Sequence, residues 1–233
     1  MKKLTGIILL AVISVMIFTA ATDSTTKKKK KGWKGTITFA VSYEGEDITP
    51  ASVANMPKKV ETKVMGDKTS AEFVIGPLVQ TIIENPEFDA QYTLLEYGLK
   101  KFAIKQKLSE IRSKRDSAKV YDIEIDLVNE TKVIAGYECK KAVVTFTPLD
   151  TTYEELILNM YYSPELGDEN TNKGSEFEGV PGLLLEFYNV MGKMRIKYVA
   201  TEIKKGGVKE ADFLIPTDYK IVTQEELQKE FGG

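Results

Sequence analysis

The chain contains no histidine and only one cysteine among its 233 residues. Histidine is the usual general base near neutral pH and the commonest metal ligand, so its absence excludes Ser-His-Asp and Cys-His nucleophile pairs. A single cysteine, Cys139, excludes an internal disulfide. With no imidazole to activate it, we interpret Cys139 as a small buried residue rather than a nucleophile. Packing alone must therefore hold the fold together.

The chain also lacks an excess of charge of either sign, with 32 basic and 34 acidic residues. That balance argues against a nucleic-acid partner. We find no phosphate-cradling glycine loop and no dinucleotide fingerprint, and we predict no cofactor, no metal site and no catalytic residue. A hydrolase that uses paired carboxylates is the remaining enzymatic alternative. Its candidates are Glu154, Glu155, Glu176, Glu178 and Glu186.

Glu186 is the most notable of these acids because it interrupts an apolar run. A buried, unpaired carboxylate is costly and would point to function. The simpler expectation is that Glu186 faces water on the outer side of its strand or pairs with a base such as Arg195. A polar stretch supplies possible oxygen ligands for calcium, but their spacing does not match an EF-hand; they are Asp168, Glu169, Asn170 and Asn172. We interpret residues 168–178 as a long solvated loop.

The apolar run at residues 4–18 is about fifteen residues long, short of the roughly twenty that a spanning helix needs. Two lysines precede it and Thr19-Ala20-Ala21 follows it, which is typical of a signal peptide. We predict a cleaved signal peptide at 1–21 and a periplasmic or secreted protein with no stable transmembrane span. No cysteine follows the run, so the chain lacks a lipobox.

Residues 22–32 contain five consecutive lysines at 27–31. We predict a disordered, solvated spacer here. The alternative is electrostatic contact with anionic lipid headgroups.

Apolar residues alternate with polar ones over most of the remaining chain, as at residues 33–43, 121–127 and 194–200. A period of two is typical of strands with one buried face. The connections are short, which favours antiparallel neighbours. We predict one mainly β domain at 33–233: a single strongly curved antiparallel sheet, or half-barrel, of about nine to eleven strands covered by two or three short helices. Further strands are expected at 60–64, 71–75, 91–95, 133–146, 156–162 and 213–215.

Three segments depart from the alternation. Residues 77–85 have helical spacing of apolar residues after a proline, and residues 102–118 place Ile104, Leu108 and Ile111 on one helical face. The second segment could instead be a strand that continues into a charged loop. Thr223 opens a capping-box pattern that predicts a third helix near the carboxyl terminus.

The stretch at residues 179–187, GVPGLLLEF, joins a turn-prone tetrapeptide directly to an apolar strand. We predict that it lies at the mouth of an apolar cavity. Gly179, Pro181 and Gly182 would form the rim. The lining would comprise Leu183, Leu185, Phe187, Tyr161 and Tyr198.

The same stretch resembles the signature of the GLPGLI family of exported proteins of Gram-negative bacteria, or of a sister family of unknown function. Val180 and Leu184 replace leucine and isoleucine of that signature. Residues 161–166 (YYSPEL) and 134–142 (IAGYECKKA) resemble two further segments of the family. The resemblance implies an exported β-rich protein without an assigned reaction. The order of curved sheet, short helices and a late strand is also similar, more distantly, to periplasmic lipoprotein carriers.

Together these features predict an exported, non-enzymatic binding protein of the cell envelope. Its expected partner is a lipid, an acyl chain or a lipidated protein held inside the half-barrel. The alternative is a structural or protein-interaction module of the envelope, with a solid core, no ligand and an envelope protein as partner.

Overall fold

The computed structural model describes residues 32–46 and 48–231. The predicted signal peptide and nearly all of the lysine-rich spacer lie outside these residues. Twelve strands and two α-helices occur in the described part. The strands are β1 (Lys34–Glu44), β2 (Lys59–Met65), β3 (Lys68–Ile75), β4 (Leu78–Asn85), β5 (Ala90–Tyr97), β6 (Lys100–Lys107), β7 (Tyr121–Ile134), β8 (Tyr137–Pro148), β9 (Leu156–Ser163), β10 (Leu183–Met191), β11 (Met194–Lys205) and β12 (Lys220–Ile221). The helices are α1 (Leu108–Ser117) and α2 (Gln224–Phe231), with short 3₁₀ turns at Pro86–Phe88 and Glu210–Phe213.

All twelve strands form one open, curled sheet in the order β12-β6-β5-β4-β3-β2-β1-β11-β10-β9-β8-β7. Every pairing is antiparallel except that of β12, which adds two residues parallel to β6. The predicted fold class is confirmed: the protein is mainly β, with a half-barrel sheet and two helices. The sheet has one strand more than the upper limit of the prediction, and both β4 and the short β12 lie where no strand was predicted.

The inner face of the curl carries the main apolar core. Cross-strand register places Phe39 beside Val60, Val60 beside Phe73, and Phe187 beside Tyr198 on this face. The opposite, outer face is mostly polar. It carries a smaller apolar cluster around Ile83 and Tyr92, which the segment 206–219 covers with the buried Phe213.

Several predicted elements differ from the structure. The predicted helix at 77–85 is wrong, because Leu78–Asn85 forms strand β4, which pairs along its length with β3 and β5 through its β-branched apolar residues. Residues 102–118 divide at Lys107 into β6 and α1. Residues 133–146 are not one strand. Their first two residues end β7, Ala135 and Gly136 form the hairpin turn with positive φ, and β8 starts at Tyr137. The expected strand at 213–215 is a 3₁₀ turn followed by irregular chain.

Three segments cover the inner face. Helix α2, predicted from its capping box, begins with reciprocal bonds between Thr223 and Glu226 and packs Leu227 near Phe102 and Ile104. Helix α1 follows β6 directly. The connection between β9 and β10, residues 164–182, contains no strand or helix and is the third cover. Within the described ranges, no helix is long and apolar enough to cross a membrane.

Candidate functional site

The three predicted rim residues lie at the end of the 164–182 connection. Gly182 has φ +150°, and a Cβ added there would lie 2.4 Å from the backbone oxygen of Ser163. Only glycine therefore lets β10 start this close to the end of β9. The turn is fixed from inside by the buried Asn172, whose Nδ2 donates to the carbonyls of Val180 (2.6 Å) and Gly182 (2.8 Å).

Behind this turn, the predicted lining residues Leu183, Leu185 and Phe187 are all buried. The ring of Phe187 stacks on that of Tyr198, with centroids 4.8 Å apart and planes within 10°. Phe39 approaches Phe187 edge-on at 5.6 Å. These aromatic contacts form the centre of the inner face, and the structure thus brings together two of the predicted aromatic residues, Phe187 and Tyr198.

The covering connection contributes a ring to the same group. Phe177, only 2% exposed, lies 6.5 Å from Phe187 between ring centroids. Phe177 belongs to the polar stretch that the sequence analysis interpreted as a solvated loop. The interpretation as a loop holds, but one face of this loop is buried against the sheet.

Tyr161, which was also predicted to line the cavity, lies instead on the outer face of the sheet. It is the cross-strand partner of Glu186, which precedes Phe187 and so points outward. The register of β9 and β10 shifts between Leu184 and Glu186, so the two strands change their pairing at this bulge. On the outer face, the Lys132 ammonium lies 4.9 Å above the Tyr161 ring.

Glu186 lies on that outer face and pairs with bases, as expected, but it is buried, at 5% exposed, and its partners are two lysines rather than Arg195. Lys132 Nζ lies 2.6 Å from one carboxylate oxygen and Lys197 Nζ lies 2.9 Å from the other. Burial raises the pKa of Glu186, but the hydrogen bonds and charges of the two lysines outweigh it and leave this pKa below its usual value. Arg195, the expected partner, instead lies 3.6 Å from Glu44. The arrangement is a satisfied ion-pair cluster.

A second polar group lies on the inner face, where sequence reasoning did not place one. Thr69 on β3, Glu84 on β4 and Gln91 on β5 are successive cross-strand partners and are all buried. Gln91 Nε2 donates to Glu84 Oε1 at 3.2 Å. Burial raises the pKa of Glu84 to about 7, against the opposing charge of Arg112 and the Gln91 hydrogen bond. Glu84 therefore holds a proton up to near-neutral pH.

Helix α1 presents arginines to this group. Leu108, Arg112 and Arg115 share one helical face, and Leu108 is buried. Burial lowers the pKa of Arg112, which Glu84 partly offsets. Arg115 donates from Nη2 to the carbonyl of Gly174 in the covering connection (3.3 Å). In the same connection, burial raises the pKa of Glu176 to about 7 against the charge of Arg115.

The sequence signals for this inner polar group were weak. Glu84 fell in a segment interpreted as a helix, and the helical face predicted for residues 102–118 comprised Ile104, Leu108 and Ile111 but neither Arg112 nor Arg115. The one available signal was that α1 carries few apolar residues for a helix that must cover a sheet. Such a helix needs polar partners beneath it.

The other sequence candidates form no comparable group. Cys139 is buried, and burial raises the pKa of its thiol to about 11, which makes the thiolate scarce at neutral pH. Asp168 accepts a local bond from the backbone of Asn170 at 2.9 Å, as in an ordinary loop turn. Across the described residues, no three or more acidic or sulfur side chains cluster as metal ligands.

Comparison with known proteins gives only distant similarity. No family model matches the chain, so the GLPGLI resemblance stays a prediction, and no curated protein matches it. Among solved structures it is similar to LprF from Mycobacterium bovis, with a TM-score of 0.35 and 12% identity over 81% of this chain and 91% of that one. It is also similar to the LolA superfamily protein NE2245 from Nitrosomonas europaea, with a TM-score of 0.22 and 12% identity over 79% and 91%. At such low scores these similarities carry no argument about function.

Proposed function

We propose that the protein is an exported, non-enzymatic binding protein of the cell envelope that holds an apolar ligand against the inner face of its half-barrel. The ligand would be a lipid or acyl chain, either free or attached to a partner protein. One observation carries the proposal. The apolar inner face is closed by a loop and two short helices, and Phe177 of that loop lies against Phe187.

Such covers can move without unfolding the sheet. The 164–182 connection has no strand or helix of its own, and segments of this kind open locally at lower free energy than core strands. Withdrawal of Phe177 would expose Phe187, Tyr198 and the neighbouring leucines. An acyl chain that took its place would gain about 0.8 kcal/mol for each buried methylene. Gly179, Pro181 and Gly182 would then lie at the edge of the opening.

The alternative, an envelope interaction module with a solid core, is favoured by a different observation. The rings of Phe39, Phe177 and Tyr198 each contact that of Phe187, and all four residues are nearly fully buried. In this alternative Phe177 is a permanent part of the core, and partners would bind elsewhere.

Native mass spectrometry of the purified protein, with extraction and identification of bound species, separates the two functions. The proposal expects a stoichiometric lipid or acyl species in the protein from its own cells, or uptake of one from source-membrane lipids. It also expects Phe177→Ala to raise occupancy, because the ring competes with the ligand for the same surface. Phe88→Ala, at an exposed site, is the matched control and should leave occupancy unchanged. If every sample, including the variants, has the mass of the protein alone, the solid-core module would be favoured.

Export is part of the proposal and has a separate test. The predicted signal peptide lies outside the described residues, so support for it comes from the sequence pattern alone. Amino-terminal sequencing of the protein from fractionated cells should find a mature chain that starts at or next to Thr22. An intact amino terminus in the cytoplasmic fraction would contradict export.

A further inference from the structure

The inner face changes from apolar to polar along β3 and β4. On β3, Phe73, Ala71 and Thr69 point inward in turn, and on β4 Ile82 is followed by Glu84 on the same face. Thr69 and Glu84 are direct cross-strand partners, so the polar ends of the two strands coincide. The surface is thus amphipathic from one end to the other.

Two buried donors at the polar end are unpartnered. The Thr69 hydroxyl, on a residue that is fully buried, has no hydrogen-bond partner among the described residues. The same holds for the buried Nη2 of Arg112, and no direct ion pair joins Arg112 to Glu84 within the described ranges. Buried donors without partners are rare in native proteins, and each one calls for an acceptor that completes it.

The chemistry of the group selects the kind of acceptor. A guanidinium only donates, a threonine hydroxyl can donate, and a protonated Glu84 also donates. The positive charge of Arg112 excludes a cation and favours an anion with oxygen acceptors. Carboxylate and phosphate oxygens both match the planar donor fork of arginine, and a carboxylate carries the single negative charge that one guanidinium neutralises.

We propose that Arg112 and Thr69, with Glu84 beside them, bind the carboxylate of a long-chain fatty acid whose tail lies along Ile82 and Phe73. The inference rests on the proposed function, because it names the ligand class that the inner face holds. Helix α1 then both covers the sheet and supplies the charge that recognises the head of the ligand.

The test compares two ligands with the same tail in competition against an environment-sensitive apolar dye. Palmitate carries the carboxylate, and hexadecanol carries a neutral hydroxyl. The purified protein should bind palmitate at least about tenfold more tightly, as expected for hydrogen bonds to a charged group. Arg112→Gln should abolish this preference while hexadecanol still binds. Lys114→Gln, at an exposed site on the same helix, should keep it.

Thr69→Val gives a second readout that a purely structural role would not produce. It removes an unpartnered buried hydroxyl at nearly constant shape, so the ligand-free protein should unfold at the same or a higher temperature. Palmitate affinity should nevertheless fall several-fold.

Equal binding of palmitate and hexadecanol by the unsubstituted protein would overturn the carboxylate site and leave the proposed function standing. A palmitate preference that survives Arg112→Gln would also overturn it, as would an Arg112-dependent preference for lysophosphatidate over palmitate. Failure of every apolar ligand to bind would overturn the proposed function and the inference together.

Discussion

Two carboxylates, Glu84 on β4 and Glu186 on β10, have nearly the same small solvent exposure, at 7% and 5%, but the Glu84 carboxyl lies deeper in the protein and their surroundings are opposite. Glu186 lies on the outer face with two lysine ammonium groups within 2.9 Å. Glu84 lies on the inner face with a neutral amide at 3.2 Å. Their pKa values accordingly move apart, below the usual value for Glu186 and up to about 7 for Glu84.

The comparison shows that burial alone does not identify a functional acid. A buried charge that has direct partners on both oxygens is satisfied, and its simplest role is structural. A buried acid that keeps its proton near neutral pH, close to an arginine that it does not contact directly, has not been optimised for stability. Groups of the second kind are concentrated at functional sites.

The largest effect is expected from the turn that positions β10 and with it Glu186. Gly182→Ala introduces both a strained positive φ and a clash 2.4 Å from the Ser163 carbonyl oxygen. We expect a loss of about 4 kcal/mol of unfolding free energy, from roughly 1–3 kcal/mol for each effect. Urea denaturation followed by circular dichroism measures the loss.

Gly179→Ala is the matched control for that change. Gly179 also has a positive φ, +101°, but a Cβ there would meet no atom within 4 Å. Its cost should therefore be limited to the strain, about 1–3 kcal/mol. Equal losses in the two variants would show that the contact with Ser163 does not determine where β10 starts.

The next largest effect is the pH dependence of the unfolding free energy that Glu84 contributes. Its pKa in the folded protein is about 7 and its ordinary value is 4.5. The folded state therefore binds this proton more tightly than the unfolded state, and stability falls as pH rises from 4.5 through 7, by about 3 kcal/mol. Glu84→Gln should remove that fall. The stability of the variant relative to the parent should therefore be about 3 kcal/mol higher at pH 8 than at pH 4.

Denaturant titrations from pH 4 to pH 8 measure this difference, and Glu72→Gln on the exposed side of β3 is the control. Glu176 shares the direction of the pKa change, so some pH dependence should remain in the variant. Parallel profiles for Glu84→Gln and the parent would mean that the carboxylate is already ionised and compensated in the folded protein.

The sequence predicted one member of this pair and missed the other, for a physical reason. Glu186 stood out because it interrupts an apolar strand, and that local signal is readable without a structure. Its partner Lys132 could not be read from the sequence, because 54 residues separate the two and the β10 bulge decides which side chains meet. Glu84 was hidden because residues 77–85 fit helical and strand spacing alike, and pairing with two neighbours decided the outcome.

The fold likewise has features with a local sequence signal and features that depend on distant parts of the chain. Period-two alternation sufficed to predict a curved antiparallel sheet, because the pattern follows directly from burying one face of each strand. It could not predict that Phe177, in a polar stretch, turns inward to cover Phe187. That placement depends on where the connection crosses the sheet.

A moderate effect is expected from Glu186 itself. Glu186→Gln keeps the shape but removes the charge that both lysines contact, and we expect a loss of about 1–3 kcal/mol at pH 7. Because the pKa of Glu186 is lowered in the folded state, its stabilisation is present above the ordinary pKa of 4.5 and is lost as pH falls through the folded value. The difference from the parent should therefore shrink in acid, opposite to the trend for Glu84→Gln. A loss that stays constant down to pH 3 would show that shape, not charge, matters at this position.

The smallest effect is the difference in stability cost between replacing Lys132 and replacing Lys197, the two partners of Glu186. The Lys132 side chain is 47% exposed and that of Lys197 is 26% exposed, so water screens the first ion pair more strongly. Lys197→Met should therefore cost about 1 kcal/mol and Lys132→Met about half of that, measured by urea denaturation at low salt. Salt near 1 M should reduce the cost of Lys132→Met more than that of Lys197→Met, because screening acts most on exposed charges. If both costs respond equally to salt, the carboxylate is more accessible to solvent than its burial indicates, and its contrast with Glu84 would rest on the number of partners alone.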